Sequence, residues 1–98
     1  MAKHIQEDLR LVCVEWEDSC GAIARWQYLD ESEPEYILCR SVGWLVYDGK
    51  DCKRIVPHLG RHKTDDSRDQ GCGDMTIPTS SILKMVDVRI IEPSVRKG

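Results

Sequence analysis

The sequence predicts a small, mainly β domain of five strands, with one short helical turn before the last. Three observations carry this. Short apolar or alternating runs recur along the chain. Clusters of Asp, Ser, Gly and Pro separate them. A Pro-Thr-Ser-Ser segment, suited to one tight helical turn, lies between the last two runs.

The elements follow in order. Leu9 to Glu17 alternates as a strand, with Val12, Val14 and Trp16 on one face and Leu11 and Cys13 on the other, so both faces have apolar surface to bury. Asp18 to Gly21 supplies turn chemistry, and Ile23, Trp26 and Leu29 suggest a short helical turn within 21–29. An acidic loop follows at 30–35. Tyr36 to Tyr47 is the strongest strand, and Gly43 in its middle suggests a bulge or sharp bend. Asp48-Gly49 signals a hairpin, with Cys52 to His58 returning and Pro57 pushing it toward an edge or its end. Residues 60–74 have no periodicity and read as a structureless loop, of a length that is usually functional or disordered. Met75 to Ile77 is a short strand, Pro78 to Ile82 the helical turn, and Ile82 to Ile91 the last strand. Together these elements predict a single small five-stranded barrel, half-open, of the SH3-like or Sm-like kind.

With 98 residues there is room for one domain spanning 1–98, with an ordered core at about 8–92 and a polar tail at 93–98. A content of 41% hydrophobic and 32% charged residues excludes the composition of a disordered chain. No apolar run is long enough to span a bilayer, and the N-terminus has no signal-peptide core, so no membrane contact is expected. Five cysteines, an odd number, fit reduced thiols better than a disulfide framework. Phe is absent, so the three Trp and three Tyr must do the bulky packing; Trp16 and Trp44 are expected in the core.

Charge is divided unevenly. Residues 1–51 hold five Lys/Arg against eleven Asp/Glu, and residues 52–98 hold nine against six. The overall charge of -3 disfavours nucleic acid as a partner, because affinity there depends on neutralising several phosphates. A local basic set remains: Lys53, Arg54, His58, Arg61, His62, Lys63 and Arg68. Arg54, His58, Arg61, His62, Lys63 and Arg68 are the candidate phosphate contacts, with Trp26 and Tyr28 as exposed rings for stacking a base. Asp65, Asp66 and Asp69 dilute the set, so a solvated, self-compensating loop is the plainer reading.

Catalytic signals are weak. Cys52, His58, His62 and Cys72 form the one zinc-like constellation, but neither Cys has a second Cys two to four residues away, and unrelated thiols and surface histidines are the simpler account. No nucleophile elbow or phosphate-binding glycine loop is present, and the acid clusters at 15–18 and 31–35 lie in polar runs where solvation is the default. No catalytic residue, metal or cofactor is expected.

Val14 to Ser19 (V-x-W-x-D-S), Trp26, Ser41 to Leu45 (S-V-G-W-L) and Ile77 to Ile82 (I-P-T-S-S-I) together resemble a group of small proteins of tailed phages and prophages, to which no catalytic site is assigned. The resemblance covers roughly residues 12–90. It implies a non-enzymatic, phage-type accessory binding protein in the bacterial host cytoplasm. The expected role, by analogy with small phage proteins that act as sponges, is to capture a host protein or a small phosphorylated ligand such as a signalling nucleotide, or to block a host defence component. Exposed edge strands make a homo-oligomer the expected state. Two alternatives stand beside it: an Sm- or SH3-like module for RNA or single-stranded nucleic acid, and a protein-protein adaptor or inhibitor using the acidic face around 31–35.

Overall fold

A computed structural model describes residues 9–19, 26–30, 33–64 and 68–93. These residues are mainly β, and among them are seven strands: β1 (Leu11–Ser19), β2 (Tyr36–Asp48), β3 (Cys52–Val56), β4 (His58–Arg61), β5 (Asp69–Cys72), β6 (Met75–Pro78) and β7 (Ile82–Asp87). A 3-10 turn, Thr79–Ser81, joins the last two. Five strands form an antiparallel sheet in the order β6-β3-β2-β1-β7, and β4 and β5 form a separate hairpin.

Alternation along β1 explains the core. Val12 and Val14 point to one face and are fully buried, joined there by Leu45, Ile55 and Ile77. Trp16, Ile82 and Met85 pack partly against this cluster. The core is therefore made of small aliphatic side chains; the expected core rings of Trp16 and Trp44 are only half-buried. Val56 points the other way and is buried against Gly71 of the β4–β5 hairpin, which lies over that end of the sheet.

Four expectations change. The sheet is not closed into a barrel: β6 and β7 occupy opposite edges and share no ladder. Closure needs edge strands that meet with matched stagger, and these edges are only four and six residues long. The expected return strand to His58 stops at Val56, because Pro57 has no N–H for the ladder. The described residues of the loop expected at 60–74 hold strands: Arg61 opposes Asp69 and His58 opposes Cys72 in the β4–β5 ladder, which main-chain bonds build without apolar alternation. Gly73, with φ at +76°, makes the turn out of that hairpin in a conformation natural to glycine. The last strand ends at Asp87, not Ile91, although Val88 N–H still donates to the Leu11 carbonyl at 2.8 Å.

The bend in β2 differs in detail too. Pairing with β1 is unbroken through Gly43, and the register shift facing β3 falls between Leu45 and Tyr47. A second shift, between Glu15 and Trp16, faces β7. The helical turn expected at 21–29 falls largely outside the described residues; Trp26 to Asp30 hold no helix.

β1 and β2 pair over the full length of β1, from Leu11↔Trp44 to Ser19↔Tyr36. The neighbours stop earlier: β7 pairs from Val12 to Trp16, and β3 from Trp44 to Asp48. The β1–β2 hairpin thus runs beyond the sheet as a two-stranded arm. The radius of gyration is 19.1 Å, against about 13 Å for a compact domain of this length.

Candidate functional site

The basic residues that the sequence singles out are spread over the β3 edge and the β4–β5 hairpin. Arg54 is exposed on β3, with its guanidinium 3.9 Å from Asp74. Arg61, mostly shielded from solvent, donates from Nε to the Asp69 carboxylate at 2.6 Å. His58 and Arg68 are exposed, as are His62 and Lys63. The His62 Nδ1 lies 3.2 Å from the Thr64 backbone N–H, which donates to it. Five of the six named basic residues thus lie at the surface, and Arg61 is engaged in holding its own hairpin together.

A groove of about 360 Å³ separates this hairpin from the sheet. Val46, Val56 and Leu59 give it an apolar floor, with Arg54, Asp69 and Asp74 among its polar groups. Among the expected ligand contacts it contains Arg54. Trp26 and Tyr28 are exposed, as expected, in the connection between β1 and β2.

The zinc-like set does not assemble. His58 and Cys72 are cross-strand neighbours, but Cys52 pairs with Pro78 at the far end of β3, and His62 lies past the end of β4. Among the described residues no three His, Cys, Asp or Glu come together as a metal-holding group. Cys13, Cys39, Cys52 and Cys72 are free thiols, so Cys52 and Cys72 do not pair; Cys20 lies outside the described residues. Of the acidic loop, Glu33 and Glu35 are exposed and Glu31 lies outside the described residues.

A surface that the sequence did not single out lies on the sheet face opposite the core. Cys13 of β1 opposes Val42 of β2 and Val86 of β7, which makes an apolar row across three strands. Val42 and Val86 are exposed. The next row is charged: Glu15 opposes Arg40 and Lys84, and Arg40 donates to the Glu15 carboxylate at 2.7 Å. Beside it is a pocket of about 320 Å³ lined by Glu15, Trp16, Leu38, Cys39, Arg40 and Leu83. The signal for this face was the double apolar character of residues 9–17; what was missing was the pairing of both neighbours to Cys13.

At the opposite end of β2, Lys53 donates to the Asp48 carboxylate and, at 2.8 Å, to the Gly49 carbonyl. The Lys53 hydrogen bond is the main reason the Asp48 carboxyl titrates below its ordinary value, with the charges of Lys53 and Arg10 adding to it against some desolvation. No helix among the described residues is long and apolar enough to cross a membrane. No family model, no curated protein and no solved structure matches the chain.

Proposed function

We propose that the chain is a non-enzymatic, phage-type accessory binding protein that seizes a host protein in the bacterial cytoplasm and blocks it. The observation that carries this reading is the face around Cys13, Val42 and Val86, with its adjoining pocket. Apolar surface gathered in one place, rimmed by charge and beside a cavity of side-chain size, is the makeup of an interaction site. Two basic groups to one acidic in the neighbouring row favour a partner with apolar residues flanked by carboxylates. The strand order, with a 3-10 turn before the last strand, supports an SH3-like plan opened along one seam and carrying β4–β5 as an insertion.

A second reading, capture of a small phosphorylated ligand, is favoured by Arg54 at the 360 Å³ groove, where a phosphate competes with Asp74 for the guanidinium. A thermal-melt panel of cyclic dinucleotides, other nucleotides, short RNAs and Zn²⁺ separates the two. Ligands that bind only the folded state raise its stability by about 2.7 kcal/mol at a hundredfold excess over Kd. A flat panel is the result expected for a protein-binding surface. A shift with one nucleotide class, lost in Arg54→Ala, selects the second reading; a shift with short RNA that collapses as salt rises selects the nucleic-acid alternative.

A further inference from the structure

The β1–β2 arm leaves one edge of β2 open, and its chemistry defines a partner. Leu45 N–H donates to the Arg10 carbonyl at 2.8 Å, so the main-chain groups of Leu45 point toward β1. The register with β1 is unbroken from Tyr36 to Trp44, so Ile37, Cys39, Ser41 and Gly43 point toward β1 as well. The alternate residues Tyr36, Leu38, Arg40 and Val42 therefore direct their N–H and C=O groups to the other side. β3 begins to pair only at Trp44, and among the described residues no strand pairs with β2 there before it. Edge strands are usually protected by Lys, Pro, a bulge or shortness. This one has no Lys or Pro between Tyr36 and Val42, its register shift comes later, and Tyr36, Ile37, Leu38 and Val42 are all exposed.

From this edge we infer that the protein is a two-fold homodimer in which the open edges of two β2 strands pair antiparallel, with Cys39 of one copy facing Cys39 of the other across the axis. Antiparallel edges satisfy one another under two-fold symmetry whatever their sequence, so a second copy needs no further complementarity. The side chains choose the register. Centring the axis on Arg40 sets two guanidinium groups against each other. Centring it on Cys39 places Tyr36 opposite Val42 and Leu38 opposite Arg40, whose charge Glu15 already holds at 2.7 Å within its own chain. All four outward residues of each copy are then paired, forming about eight main-chain hydrogen bonds. Pro34, two residues before Tyr36, ends the pairing near the point where β3 takes over the edge. The result is a continuous sheet, β7-β1-β2-β2-β1-β7, that sets the two apolar faces side by side. The inference rests on the edge alone and stands whether or not that face binds a host protein.

The register makes the test specific. Facing residues in a non-hydrogen-bonded antiparallel pair have Cα atoms about 4.5 Å apart, within disulfide range. Diamide takes up the hydrogens of the two thiols as one disulfide forms and is itself reduced to the hydrazine. Full-length protein should sediment as a dimer, and diamide should convert it to a covalent dimer on non-reducing gels. Cys39→Ser should remain a dimer without forming that crosslink. Leu38→Pro removes an outward N–H while sparing the β1 ladder, and should be a folded monomer by circular dichroism and sedimentation; Val42→Lys does the same by charge if the proline variant fails to fold. A monomer at several hundred micromolar overturns the inference. So does a dimer that persists in both edge variants, or a diamide crosslink that survives Cys39→Ser.

Discussion

Gly43 and Val56 meet backbone to backbone: a Cβ at residue 43 would lie 2.9 Å from the Val56 carbonyl oxygen and 3.2 Å from the Ile55 Cβ. This contact lies where β3 begins to pair with β2, and neither obstacle is the far end of a flexible side chain. Gly43→Ala should therefore cost about 1–3 kcal/mol, the range for overpacking a tight site. Urea unfolding of the two proteins measures it through a lower midpoint at unchanged slope.

Trp16 is tied to the arm by its indole, which donates from Nε1 to the Ser41 hydroxyl at 3.1 Å across β1 and β2. Ser41→Ala leaves a half-buried donor without that acceptor. The expected cost is about 1 kcal/mol. Tryptophan fluorescence during denaturant melting reads it, and Trp26, fully exposed, supplies an internal reference that iodide quenches first.

Arg61 and Asp69 hold the β4–β5 hairpin from directly opposite positions. The pair is largely shielded from water, so neutralising Asp69 removes a charge-assisted contact that Arg61 makes across the hairpin. Asp69→Asn should weaken the hairpin by about 2 kcal/mol. Amide exchange of Leu59 to Arg61 and Gln70 to Cys72 should then speed up while β1 and β2 keep their protection.

Asp48 makes part of the stability depend on pH. Its carboxyl is depressed in the folded state, so its contribution is fully present above the ordinary carboxylate pKa and is lost as pH falls through the lower, folded value. Lys53→Met removes the main cause. The gap in Tm between wild type and Lys53→Met should be constant near neutral pH and shrink in strong acid, below the ordinary aspartate range.

Strand alternation put Val12 and Val14 on one face of β1, but the rings of Trp16 and Trp44 were expected in the core that Leu45, Ile55 and Ile77 complete; the proline-led turn is where Pro78 and the two serines suggested. The β4–β5 hairpin was hidden because Gly60, Gln70 and Gly71 give no apolar period, and its ladder depends on main-chain bonds and on the Arg61–Asp69 pair, which bounds nine positions of mixed charge that look solvated in one dimension. The basic cluster shares that cause. Arg61 and Asp69 look like neighbours diluting one another's charge, whereas the hairpin makes them partners. The outward row of Cys13, Val42 and Val86 is assembled from three separate strands, so only the register brings it together. Openness of the sheet was illegible as well, since strand length at the edges decides closure and the sequence overestimated β7 by four residues.

Capture from bacterial lysate on immobilised wild type, Val86→Glu and Arg54→Ala tests the binding surface most directly. Val86 lies on the outward face of β7, one residue before its end, and its side chain is no part of the buried core. The expected result is a host protein held in constant ratio by wild type and Arg54→Ala and lost by Val86→Glu, with all three baits equally folded by circular dichroism. Equal retention by Val86→Glu, or no protein held by any bait, would contradict the assignment of that face as the binding site.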